Sequence, residues 1–135
     1  MCAFACAPRI DDRNESLTGP YLNDLKAAQR GLDELRPLLL QGEPGYEAAR
    51  FTLRKPPINT IRKSASKTIL LLKEGSDVRK TKEASYEAIK GGLASIDAGC
   101  RPGLTERPDV AQLISQLQKE IDTFNLGLGV GVAAD

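Results

Sequence analysis

Apolar residues recur at an average spacing of 3.5 positions, and this repeat constrains the chain more than any other feature. Tyr21, Leu25, Ala28, Leu32, Leu35 and Leu39 step by 4, 3, 4, 3 and 4, and Val110, Ile114, Leu117, Ile121 and Phe124 step by 4, 3, 4 and 3. Such spacing gathers the apolar side chains on one face of a helix, a seam suited to facing a partner helix. In a strand the same residues would scatter over both faces. Two further helical runs lie between these. Ile58, Ile61, Ala65, Ile69 and Leu72 form one, ended by Gly75. Ser85, Ile89, Gly92 and Ile96 form the other, with Tyr86 and Leu93 beside them.

Turn and cap residues divide the runs. Pro20 suits a first helical turn, where its missing N–H is not needed. Residues 1–19, with Pro8 and Gly19, therefore read as an extended arm. Pro37 should bend the last turn of the first helix, and Gly42 with Glu43-Pro44-Gly45 should close it. Tyr46–Leu53 reads as a short helix that Pro56-Pro57 interrupts. Ser76 or Asp77 can cap the third long helix, and Pro108 and Asp109 mark the start of the fourth. Gly91-Gly92 weakens the third unless another helix approaches closely there. Residues 127–135 alternate Gly with aliphatics, and their Leu and Val would gain from docking.

The expected fold is all-α. It is an up-down-up-down four-helix bundle over residues 20–126, with a short extra helix, the arm at 1–19 and the tail at 127–135. A chain of 135 residues suffices for one such domain with its own core.

Histidine is absent from the chain. That excludes Ser-His-Asp and Cys-His catalysis, His-ligated zinc and the commonest general base. Ser66-Lys67-Thr68 imitates the end of a phosphate-binding loop but lacks its glycines. Acid pairs such as Asp11-Asp12 and Asp33-Glu34 diverge on a helix instead of converging on a metal. The expectation is a protein that binds, not an enzyme, with no catalytic residue, metal site or cofactor. Cys2, Cys6 and Cys100 have no metal-ligand spacing; a bridge from one of the first two to Cys100 and simple surface thiols both fit. Ala5-Cys6-Ala7 matches a small-x-small cleavage pattern with no apolar stretch ahead of it, which fits a remnant of processing or chance. No apolar run is long enough to span a bilayer.

Charge is segregated although the net is only +1. Residues 1–49 carry 5 Lys/Arg against 8 Asp/Glu, residues 50–90 carry 11 against 4, and residues 91–135 carry 3 against 6. Within the basic centre, Arg50 and Arg54 share a helix face, with Lys55 next to them. Arg62, Lys63 and Lys67 follow beyond the double proline, Lys63 and Lys67 one turn apart. These six residues form the candidate partner-binding patch, because Arg pairs bidentately with carboxylates. A solvated helix face is the plain alternative. Nucleic acid is a weaker candidate, since aromatics for stacking are few and both flanks are acidic.

Three segments resemble the PsbQ-like extrinsic subunits of photosystem II. Tyr46–Arg62 (YEAARFTLRKPPINTIR) is similar to the family's segment leading into the second helix. Ala84–Asp97 (ASYEAIKGGLASID) is similar to its third helix, and Val110–Phe124 to its closing helix, whereas Tyr21–Leu40 matches only in apolar spacing. Leu53-Arg54-Lys55-Pro56-Pro57 looks more like the red-lineage algal variants than the plant form, and the glycine-aliphatic tail departs from the plant form. The resemblance implies a non-enzymatic subunit in the chloroplast thylakoid lumen, peripheral to the membrane through protein contacts. Such a subunit docks on the photosystem II core and other extrinsic subunits and helps retain calcium and chloride at the oxygen-evolving centre. The alternative is a helical adaptor or assembly subunit, such as a PsbQ-like subunit of the chloroplast NAD(P)H-dehydrogenase-like complex.

Overall fold

The structure is a computed structural model in which residues 12–128 are described, and among these the chain is helical with no β-strand. Helix α1 spans Asp12–Leu32, α2 Leu35–Leu39, α3 Glu43–Leu53, α4 Ile61–Leu70, α5 Asp77–Gly99 and α6 Val110–Asn125. A single 3₁₀ turn, Ile58–Thr60, leads into α4. No helix among the described residues is long and apolar enough to cross a membrane.

The 3.5-residue repeats become the core. Leu25, Ala28, Leu32 and Leu35 are fully buried, as are Ile61, Ala65, Ile89, Ile96, Ile114, Leu117, Ile121 and Phe124. Each large aliphatic among them contributes roughly 1.5–3 kcal/mol by leaving water. Packing forms a closed circuit: α1 lies against α4 and α6, and α5 lies against α4 and α6. Helix α2 packs on α3, which reaches the 3₁₀ turn. A Cβ on Gly92 would stand 3.2 Å from Leu117 Cδ1, so the small residue permits the close approach of α5 to α6.

Three proline effects differ from expectation. Helix α1 contains Pro20 instead of beginning there, so residues 12–19 are helical and not an extended arm. Pro20 costs one intrahelical bond, but Thr18 on the preceding turn is fully buried and Leu22 nearly so. Packing on both sides of the proline carries the helix through it. Residues 1–11, with Cys2, Cys6 and the rest of the expected arm, lie outside the described residues.

Pro37 acts earlier than its own position. Its ring and missing N–H disturb the carbonyl four residues back, at Asp33. The helix breaks there, and Asp33 O instead accepts from Arg36 N at 3.2 Å. Glu43-Pro44-Gly45 opens α3 instead of only closing the preceding helix, with Pro44 in the first turn where no N–H is needed. Gly45 is required there, because a Cβ would fall 1.8 Å from Leu38 O.

The expected caps form. Ser76 Oγ accepts from Arg79 N at 3.1 Å and Asp109 Oδ1 from Gln112 N at 3.2 Å. At the far end of α6, Gly127 has φ 80° and Leu128 is buried, so the start of the tail turns back onto the core. The expected docking of residues 129–135 lies outside the described residues.

Candidate functional site

The six residues of the basic patch are not equivalent once folded. Arg50 in the last turn of α3 and Arg54 at its C-cap both reach Asp97 near the end of α5. Arg50 Nε stands 3.2 Å and Arg54 Nη1 3.1 Å from Asp97 Oδ1. Arg54 also donates to Arg50 O at 2.9 Å. Burial pushes the Asp97 carboxyl upward, but the Arg50 hydrogen bond and the charges of Arg54 and Arg50 outweigh it and hold the group below its ordinary value. It is therefore ionised at neutral pH, and these two arginines are largely consumed in fastening α3 to α5. Lys55, Lys63 and Lys67 are exposed and have no ion-pair partner among the described residues.

Arg62 is placed differently. It occupies the second position of α4, next to the fully buried Ile61, and lines a groove of about 460 Å³ where the 3₁₀ turn and α4 face α5. Arg54, Asn59, Asp97 and Arg101 complete the polar rim. Leu53, Ile58, Leu93 and Ala94 supply the apolar lining. Three guanidinium groups thus share one cleft with a single carboxylate, which is already engaged.

Arg101 was not among the candidates from sequence, although a signal existed. It lies four residues after Asp97, just past the end of α5, so the chain leaving that helix passes the same end of the cleft. Its position is fixed by the loop leading to α6. Arg107 Nη1 donates to Gly99 O at 2.9 Å and to Arg101 O at 2.8 Å, Nη2 pairs with Glu43, and the guanidinium stacks 3.9 Å from the centre of the Tyr46 ring. Arg107 therefore holds the Arg101 backbone from behind.

Cys100 beside it is fully buried and free. Burial pushes its thiol up, with Asp97 adding and Arg107 and Arg50 opposing. It is a core residue and not the surface thiol that the sequence allowed.

A second groove, of about 440 Å³, opens at the other end of the α4–α5 seam. Ile69, Leu70 and Tyr86 line it with Arg79, Glu83 and Glu87. Here Arg79 pairs with Glu83 at 3.5 Å and Glu87 with Lys90 at 3.0 Å. Its ionic groups are thus matched locally.

Other cations are occupied internally. Lys82 is buried; its Nζ donates to Leu126 O at 2.8 Å and Thr123 O at 3.2 Å, capping the last turn of α6. Desolvation lowers its pKa below the ordinary value. Arg36 donates to Ser115 Oγ at 3.0 Å, to Gln118 Oε1 at 2.8 Å and to Ala111 O at 3.3 Å, joining α2 to α6. Among the described residues no three His, Cys, Asp or Glu side chains gather as metal ligands would.

Among the described residues, fold and site define an all-α protein with an arginine-rimmed, apolar-lined cleft. No family model, curated protein or solved structure matches the chain.

Proposed function

We propose that α1, α4, α5 and α6 form an up-down-up-down four-helix bundle, and that this bundle is a non-enzymatic extrinsic subunit. Under this reading it docks from the thylakoid lumen on the photosystem II core and neighbouring extrinsic subunits. There it helps retain calcium and chloride at the oxygen-evolving centre. The closed circuit of helix packing supports the bundle. The observation that carries the docking role is the cleft in which Arg62 and Arg101 stand with no ion-pair partner among the described residues. Arginine at an apolar patch suits a protein interface, because its flat, weakly hydrated guanidinium pairs with carboxylates at low desolvation cost. The likeness of Tyr46–Arg62, Ala84–Asp97 and Val110–Phe124 to the PsbQ-like subunits supplies the complex.

Washing isolated thylakoid membranes with about 1 M salt, where charges are screened beyond roughly 3 Å, tests this. The expected result is release of the protein with loss of oxygen evolution, restored on adding it back. Absence of the protein from thylakoid membranes would contradict it.

A further inference from the structure

We infer that the groove between the 3₁₀ turn, α4 and α5 receives an extended protein segment. That segment carries an acidic side chain two positions from an aliphatic one. The inference rests on the docking reading above and narrows it to one partner chemistry.

Charge selects the first half of that ligand. Arg50 and Arg54 are satisfied by Asp97, whereas Arg62 and Arg101 line the same cleft with no ion-pair partner among the described residues. Two unpaired guanidinium groups at one cleft repel each other, and a carboxylate placed there relieves the repulsion while making charge-assisted hydrogen bonds. The Asp97 charge does not defeat this, because two arginines already neutralise it.

The lining selects the second half. Ile58 is already buried at the floor of the groove, but the half-buried Leu53 and Leu93 would remain wet if a small anion alone occupied the rim, so burying them adds affinity only for a ligand with its own apolar group. No aromatic side chain lines the groove, so a nucleobase would find nothing to stack on. In an extended chain, side chains two positions apart point the same way at roughly 6.5–7 Å separation. A Glu-x-Leu arrangement therefore presents both groups to the cleft at once.

The test is an NMR titration of ¹⁵N-labelled protein with a blocked seven-residue peptide carrying glutamate and leucine two positions apart among serines. Parallel titrations use its glutamine counterpart and inorganic phosphate. The expected shifts fall on the amides of Leu53, Asn59, Arg62, Leu93 and Arg101. Affinity should fall about tenfold with the glutamine peptide and again about tenfold in R62Q/R101Q. It should stay unchanged in K63Q/K67Q, and helicity and thermal midpoint confirm that each variant folds. Shifts confined to the lysines, equal binding of both peptides, shifts from phosphate but not from the peptide, or no shift at all would each overturn the proposal. Membrane retention is scored separately. Peptide binding lost in R62Q/R101Q supports the groove even if the protein never associates with photosystem II. Peptide binding that ignores these arginines removes the groove even if salt releases the protein from thylakoids.

Discussion

The seam between α4 and α5 opens into two grooves of nearly equal volume, about 460 and 440 Å³, and their charges are handled in opposite ways. Both are built from the same helical stripes. Arg62, Ser66 and Ile69 follow one face of α4; Glu83, Glu87, Ala94 and Asp97 follow one face of α5, and Arg101 stands just past its end. At the end near the start of α5, opposite charges lie one turn apart and neutralise each other within the helix. At the other end the single acid is claimed by arginines from α3, and two arginines are left over. The difference teaches that net charge along a stretch says little about availability. What counts is whether each cation meets a local or a distant counterion.

The comparison presumes that α5 is held fixed, and the largest expected effect comes from loosening it. Leu117, fully buried, touches Gly92 of α5. Leu117→Ala should cost about 3 kcal/mol in denaturant unfolding through the cavity it leaves. It should also weaken peptide binding although every arginine of the groove remains. Binding unchanged in this variant would show that the cleft does not depend on the packing of α5.

Lys82 sharpens the contrast near the start of α5, where a cation is spent on two backbone carbonyls and stands 6.0 Å from the centre of the Phe124 ring. Lys82→Met should cost about 1 kcal/mol at neutral pH, because the Thr123 and Leu126 carbonyls lose their donor. Burial lowers the folded pKa of Lys82, so between that value and the unfolded one of about 10.4 the unfolded chain holds more protons. Stability of the wild type should therefore rise with pH across that window relative to Lys82→Met. Unfolding midpoints followed from pH 7 to 11 check the sign.

Asp97→Asn should affect the two properties in opposite directions. It releases Arg50 and Arg54, costing about 0.5–1 kcal/mol for a partly exposed pair. It also leaves more uncompensated positive charge in the groove, so affinity for the acidic peptide should rise about fivefold. The folded carboxyl titrates below its ordinary value. Its contribution is thus complete above the unfolded pKa of about 3.9 and is lost as pH falls through the folded one. Wild type and Asp97→Asn should converge in stability at low pH. The smallest expected effect is on folding in R62Q/R101Q, within about 0.5 kcal/mol of wild type, because exposed residues with no internal ion pair stabilise little.

The helical framework was legible because it is a local property. All five positions of the last repeat, Val110 to Phe124, are buried, as periodicity alone requires. The boundaries were less so. Whether Pro20 starts or interrupts a helix depends on the burial of Thr18, which no local rule gives. The break at Asp33 was readable in principle, since proline disturbs the residue four back.

The site was half legible. Arg62 was among the candidates and lines the groove, but Arg50 and Arg54 looked identical to it in sequence. Their counterion, Asp97, lies more than 40 positions away, and only the fold brings it near. Arg101 was visible only as the residue four after Asp97, in a stretch whose overall charge is acidic. Lys82 carries no sequence mark of burial, because its partners are main-chain carbonyls.

Rebinding to salt-washed photosystem II membranes at low ionic strength tests most directly whether the arginine groove is the docking contact. Wild type, R62E/R101E and K63E/K67E are compared after each is shown to fold. The expected result is rebinding of wild type and of K63E/K67E, with R62E/R101E left in solution. Rebinding of R62E/R101E at the wild-type level would contradict the assignment of the groove.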